Sequence, residues 1–242
     1  MNYKHPKSLK NVKNTYCPGC GHGIIHRLFA EIVDELDIRE NIIAVAPVGC
    51  AVFGYFYWDF DTTEAAHGRP PAVATALKRV MPDKIVTTYQ GDGDLAAIGG
   101  NELLHTANRG ENITIFFVNN SCYGMTGGQM APTTLLGQKT TTTSTGRTTL
   151  DGYPIKVCEL LSAIQAVAYI ERTSLHSPEH IIKTKKAMKK ALQNQIDEKG
   201  FSFVEILSMC PTAWKESPIN SIKKIENEIQ QEFKLGIYKD IL

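Results

Sequence analysis

Long apolar runs are missing from this chain: none of its 242 residues belongs to a stretch of roughly 20 apolar positions, the length a bilayer-spanning helix needs. A surplus of one charge is missing too. Lys and Arg number 26 against 25 Asp and Glu, which argues against nucleic acid or an anionic membrane as a partner. The opening MNYKHPKSLKNVKN is polar and basic but has no apolar segment of the signal-peptide kind, so a cytoplasmic protein is expected. Cysteine is sparse. Six thiols in a chain this long do not make a disulfide scaffold, and in a reducing compartment they read as free thiols or metal ligands. With no fixed-period repeat and no linker, residues 1–242 are read as one domain.

What is present is an alternation of two hydrophobic periods. GIIHRLFAEIVDELD (residues 23–37) carries apolar residues at helical spacing, and NIIAVAPVG (41–49) reads as a buried strand ending in a glycine turn. PAVATALKRVM (71–81) predicts a helix with proline at its start. KIVTTYQ, a helix after Asp94 and NITIFFVNN (112–120) form a strand, helix, strand unit. Beyond them CELLSAI and SPEHIIKTKKAMKKALQNQI read as helices, AVAYIERTS and FSFVEILS as strands. The pattern predicts an α/β fold, a parallel sheet with helices on both faces, whose ligands bind beyond the carboxyl ends of the strands. Residues 131–154, rich in Thr and Gly, break the alternation and are expected to form a lid or partner-contact loop.

Two groups of residues carry chemistry. In YQGDGDLAAIGG, Asp92 stands between Gly91 and Gly93 where a strand runs into a helix, a place where phosphate can approach backbone N–H groups. A carboxylate repels bare phosphate, so the turn makes sense with a divalent cation between them, and the amide oxygen of Asn120 at the next strand end supplies a second hard ligand. The other group is Cys17 and Cys20 in YCPGCGHG, Cys50 in PVGCAVFG and Cys210 in SMCPTAW. Four thiolates brought together by the fold suit a [4Fe–4S] cluster or a structural zinc, and spacing alone does not separate the two.

The spacing from GDG to NN is similar to the signature of thiamine-diphosphate enzymes. Together with CPGCGHG, VGC, AAHGRPPAVATALK, VNNSCYGMTGGQ and CP, in this order from Cys17 to about Pro211, it resembles the thiamine-diphosphate-binding beta subunit of the 2-oxoacid:ferredoxin oxidoreductases. The resemblance implies thiamine diphosphate, Mg²⁺ and a [4Fe–4S] cluster, the last held by Cys17, Cys20, Cys50 and Cys210. Magnesium would take Asp92, Asn120 and the main-chain oxygen of Cys122. Val48, Gly49, Cys50, Ala51, His67, Gly93, Asp94, Gly124 and Met125 would line the cofactor, with Gly91 beside its diphosphate. The implied reaction is oxidative decarboxylation of a 2-oxoacid to acyl-coenzyme A and CO₂, with electrons passing singly to ferredoxin. The glutamate that activates the cofactor would come from a partner subunit, and alpha, gamma and delta subunits are the expected partners.

The uncharged, aromatic stretch AVFGYFYWDF points to an apolar acyl group such as that of 2-oxoisovalerate. The alternative is 2-oxoglutarate, whose second carboxylate would need a cation such as Arg69 or Arg147. A non-redox thiamine decarboxylase or synthase is a further alternative, but it would have no use for four cysteines. His22, His26 and Cys158 are read as packing residues.

Overall fold

The computed structural model describes residues 4–241; residues 1–3 and 242, which fall within the expected single domain, lie outside the described part. In chain order the elements are α1 (His22–Glu35), β1 (Ile42–Ala46), α2 (Gly54–Tyr57), β2 (Asp61–Glu64), α3 (Pro70–Val80), β3 (Ile85–Gly91), α4 (Gly100–Asn108) and β4 (Thr114–Asn119). Then follow α5 (Val157–Ser162), β5 (Val167–Ser174), α6 (Pro178–Ile196), β6 (Phe201–Leu207), α7 (Pro211–Trp214), α8 (Pro218–Lys224), α9 (Gln230–Glu232) and β7 (Gly236–Asp240).

The seven strands form one sheet in the order β2-β1-β3-β4-β6-β5-β7, parallel throughout except for β7, which runs antiparallel to β5 at one edge. Both faces are covered, which explains why the central strands read as continuous apolar runs. Side chains alternate between two cores. Phe116, Val118, Val204 and Ile206 pack with α1, α6 and the C-terminal helical segment around Ile225, Ile229 and Phe233. Ile115, Phe117, Phe201 and Phe203 pack on the opposite face with Ala74 of α3, Leu103 of α4 and Leu161 of α5.

The chain leaves β1 towards β2 on one side and returns to β3 on the other, so the sheet reverses its winding between β1 and β3. Open α/β sheets form their ligand crevice at such a reversal. Cys50, Asp92, Asn120 and Cys210 follow β1, β3, β4 and β6, four strands adjacent in the sheet.

One element departs from expectation. The segment after Asp92 first winds as a wide π-type turn, Gly93–Ile98, and only then becomes α4. Such turns recur at functional sites. The stretch 131–154 folds around one cation: the Arg147 guanidinium donates to the carbonyls of Ala131, Pro132, Thr134, Asp151, Gly152 and Tyr153. Leu150 and Tyr153 remain exposed at its tip.

Candidate functional site

Three oxygens meet where β3 and β4 end. Asp92 is buried, its Oδ1 accepting the Gly93 N–H at 2.8 Å and its Oδ2 the Thr133 hydroxyl at 2.6 Å. Across from it, Ser121 takes a φ of 51° and turns the chain sharply after Asn120. The Asn120 amide then lies 3.3 Å from Asp92 Oδ1 and 2.8 Å from the Cys122 carbonyl oxygen. With its nitrogen towards them, the amide donates to both. With its oxygen towards them, three oxygens converge, an arrangement that a cation would stabilise. Mg–O distances of ~2.0–2.1 Å place neighbouring oxygens of an octahedron about 3 Å apart, so the spacing fits Mg²⁺. Burial pushes the Asp92 carboxyl up to about 7, against the hydrogen bonds from Thr133 and Gly93, and a cation at this point would restore its charge.

Asp94 does different work from Asp92. Also buried, it accepts the Gly68 N–H (2.9 Å) and the Val48 N–H (3.4 Å) on Oδ1 and the Gln90 amide (2.5 Å) on Oδ2, tying the loops after β1 and β2 to the π turn. His67 Nδ1 stands 2.6 Å from the same Oδ1 but too far off line for a hydrogen bond. Gly68 is required here, because it adopts φ 78° and a Cβ on it would come within 2.6 Å of the Gly99 nitrogen.

The loops so held enclose one cleft. Val48, Gly49, Cys50, Ala51, His67, Gly91, Gly93, Asp94, Gly124 and Met125 all line it, with Asp92, Asn120 and Cys122. His22, Val118, Tyr123 and Thr126 line it as well, and Thr133 supports it from behind. The enclosed volume is about 120 Å³, well short of the ~300–1,000 Å³ that buries a drug-sized ligand. No Glu, Arg or Lys lines the cleft among the described residues.

The four cysteines approach the cleft from the other side. Cys17 is exposed on the loop before α1, while Cys20, Cys50 and Cys210 are half-buried. A Cβ on Gly124 would sit 3.2 Å from Cys210 Sγ, 3.6 Å from Cys50 Sγ and 3.7 Å from Asn120 Nδ2, so this glycine separates the oxygen site from the sulfurs by its own width. Burial pushes the Cys20 thiol up to about 12 and Cys50 to about 11, and in each case the neighbouring cysteines add to the rise. Cys210 is lowered by a hydrogen bond from the Cys122 thiol. Among the described residues, no three His, Cys, Asp or Glu side chains stand close enough to chelate a single ion.

The histidines of the cysteine motif belong to an aromatic stack. Tyr16 donates its hydroxyl proton to the Cys50 carbonyl (2.8 Å), so its oxygen receives the His26 Nε2 proton (2.8 Å). His22 pairs with the Tyr89 hydroxyl at 2.5 Å, and burial lowers it to about 4, which leaves the ring neutral at pH 7. Of the AVFGYFYWDF segment, Tyr57 and Trp58 are core residues, Tyr55 and Phe56 point outward, and only Ala51 at its start lines the cleft, next to Cys50 just before it. Arg69 pairs with Glu102, and Arg147 is consumed by its loop.

Residues 48–206 match the family model of the thiamine pyrophosphate enzyme C-terminal TPP binding domain. The ketoisovalerate oxidoreductase subunit VorA of Methanothermobacter thermautotrophicus is 50% identical over 226 residues, 93% of this chain but 47% of that protein, so the chain spans about half the length of this relative. The 2-oxoglutarate synthase subunit KorB of Methanocaldococcus jannaschii is 40% identical, covering 88% of this chain and 78% of its own. A solved structure, the 2-oxoglutarate:ferredoxin oxidoreductase from Magnetococcus marinus with 2-oxoglutarate, coenzyme A and succinyl-CoA bound, superposes with a TM-score of 0.81 at 25% identity, over all of this chain and 86% of that one. The chain belongs to the thiamine pyrophosphate enzymes, and among them to the thiamine-diphosphate-binding subunits of the 2-oxoacid:ferredoxin oxidoreductases.

Proposed function

We propose that this chain is the cofactor-holding subunit of a complex that converts a 2-oxoacid, coenzyme A and oxidised ferredoxin to acyl-coenzyme A, CO₂ and reduced ferredoxin. The observation that carries the proposal is Gly124, where a Cβ would meet the proposed cation ligand Asn120 as well as Cys50 and Cys210. A one-electron relay has to lie beside the carbon centre that gives up electrons, and this rim provides both places.

When bound, thiamine diphosphate would supply the carbanion chemistry needed to break the bond beside a keto carbon and to hold the electrons left by decarboxylation. The residues of the chain do the rest. Asp92, Asn120 and the Cys122 carbonyl would hold Mg²⁺ against the diphosphate, and Thr133 keeps the Asp92 carboxylate aimed at it. Gly91 and Gly93 leave room for phosphate at the main chain. Asp94 fixes the wall formed by Val48, Gly49 and Gly68. Cys17, Cys20, Cys50 and Cys210 would hold a [4Fe–4S] cluster. Zinc bound at ~2.3 Å per sulfur would need thiols gathered around one point, whereas a four-iron cube suits sulfurs that are neighbours without sharing a centre.

A cleft without a cation favours a substrate with an apolar side chain, and the 50% identity to a ketoisovalerate oxidoreductase subunit points the same way, to 2-oxoisovalerate. The activating glutamate comes from an alpha subunit, with gamma and delta subunits completing the relay to ferredoxin. We place the complex in the cytoplasm, where six unpaired cysteines are stable.

Anaerobic co-purification with the alpha subunit tests this reading. About four irons, one thiamine diphosphate and one magnesium per chain are expected, with a visible absorption that bleaches on reduction. In a panel of 2-oxoacids, 2-oxoisovalerate should be the best substrate. Stoichiometric zinc, or iron confined to the other subunits, would overturn the cluster assignment; 2-oxoglutarate as the best substrate would overturn the substrate assignment.

A further inference from the structure

A buried ion pair lies one residue away from the cation turn. Arg172 on β5 and Glu205 on β6 are register partners whose side chains are fully buried, with Arg172 Nε donating to Glu205 Oε2 at 2.8 Å. The guanidinium reaches on to Glu159 (2.6 Å) and the Tyr238 hydroxyl of β7. The Cys158 thiol, which burial and Glu205 keep protonated, donates to Glu205 Oε2 at 3.1 Å. Well-packed apolar side chains in place of a buried pair are often neutral or stabilising, so such a pair calls for a reason other than stability.

The reason lies at Glu205 Oε1. It accepts the Asn119 Nδ2 proton at 2.7 Å, and Asn119 is the last residue of β4, directly before Asn120. An ionised carboxylate only accepts, so it dictates which end of the Asn119 amide faces it. The amide oxygen is thereby turned to the Ser121 N–H, which it accepts at 3.1 Å. That bond holds Ser121 at φ 51°, a conformation disfavoured for a side-chain-bearing residue, and this bend sets the Cys122 carbonyl against the Asn120 amide, which also faces Asp92. Thr134 and Gln138 clamp the Ser121 carbonyl from the loop side at 2.7 and 3.2 Å.

We infer that Glu205, oriented by Arg172, is a positioning residue for the divalent cation, acting through Asn119 to set the turn that carries two of the three cation oxygens. The inference rests on the cation site proposed above, and its test keeps the two separable.

The probe is Mn²⁺, titrated by electron paramagnetic resonance into the intact complex with thiamine diphosphate present. Asp92→Ala gives the baseline and should weaken Mn²⁺ by more than about 100-fold; if it does not, the cation binds elsewhere and both the site and the inference fall. With that baseline established, Glu205→Gln and Asn119→Asp should each weaken Mn²⁺ by about 10- to 100-fold. The introduced glutamine has one acceptor oxygen, which charged Arg172 claims, leaving its NH₂ against the NH₂ of Asn119. The introduced aspartate sets carboxylate against carboxylate. Combining Asn119→Asp with Glu205→Gln reverses the direction of the hydrogen bond, conserves the charge and still satisfies Arg172. This double variant should recover Mn²⁺ affinity to within about threefold of wild type, the non-additivity expected of directly bonded partners. Wild-type affinity in Glu205→Gln, or a double variant no tighter than the weaker single one, would overturn the inference. If one single variant does not fold, the other single variant carries the comparison with the double variant.

Discussion

The oxygen side and the sulfur side of the cleft are built in opposite ways. On the oxygen side, Asp92, Asn120 and Cys122 are all buried, come from two adjacent strand tips, and are held by Gly93, Thr133 and the Asn119–Ser121 bend before any ligand arrives. On the sulfur side, the thiols come from a loop near the N-terminus, the end of β1 and the end of β6, with Cys17 exposed. Burial and mutual repulsion keep Cys20 and Cys50 protonated in the free chain. Metal ligands must be deprotonated, so Cys20 and Cys50 would give up their protons only on binding the proposed cluster. The fold preorganises the first site; the second would be completed by what it is proposed to hold.

Cys50→Ser should produce the largest effect on this contrast. Iron content and electron transfer to a one-electron acceptor should fall to background, while Mn²⁺ affinity in the presence of thiamine diphosphate stays within about twofold, as independent sites behave. Loss of both together would break the comparison and make the two sides one cooperative unit. The converse variant, Asp92→Asn, should weaken Mn²⁺ by more than about 100-fold, since even outer partners of a ligand are worth 10–100-fold, and should leave iron content unchanged.

Acidity sharpens the comparison with a smaller effect. Burial raises Asp92 from its ordinary 3.8 to about 7 in the cation-free chain. The folded carboxyl thus keeps its proton at pH values where the unfolded one has lost it, so its contribution to stability is complete below about pH 4 and is lost as the pH rises through about 7. Cation binding runs the other way. A proton must leave first, so Mn²⁺ affinity should rise about tenfold per pH unit from pH 5 to about 7 and level off above that. Titrations at several pH values measure the slope, and a flat profile would show that Asp92 is ionised without its cation.

The two sides also differed in how far the sequence disclosed them. Asp92 and Asn120 were legible because two consecutive strands end in them and each strand announces itself as an apolar run. Cys17, Cys20, Cys50 and Cys210 could be grouped from their motifs and strand-end positions, but their mutual placement follows from strand order, which no local pattern encodes, and spacing alone did not separate cluster from zinc. Thr133 was hidden because the stretch 131–154 is organised by Arg147 and backbone carbonyls, an arrangement without periodicity. The β2 edge strand, Asp61–Glu64, has no buried residue and so no hydrophobic signal. The helices after Pro211 lay beyond the alternating pattern, although Ser217 before Pro218 is a legible cap and start. Glu205 reads from sequence as a polar residue misplaced in a central strand, and only the distance to Asn119 gives it a purpose.

The smallest predicted effect comes from the residue between the two sides. Gly124 does not need its glycine for backbone reasons, since its φ lies outside the left-handed region. What alanine would change is space: its methyl would press on Cys210 Sγ at 3.2 Å while meeting Cys50 Sγ and Asn120 Nδ2 at ordinary contact distances of 3.6 and 3.7 Å. A few tenths of an ångström of displacement therefore fall on the sulfur side, the side that the fold holds less firmly. Gly124→Ala should lower iron occupancy or speed its loss to a chelator by a few-fold, with Mn²⁺ affinity unchanged within about twofold. If Mn²⁺ affinity drops and iron is retained, the oxygen side is the yielding one, and the order of rigidity argued from burial and hydrogen bonding is reversed.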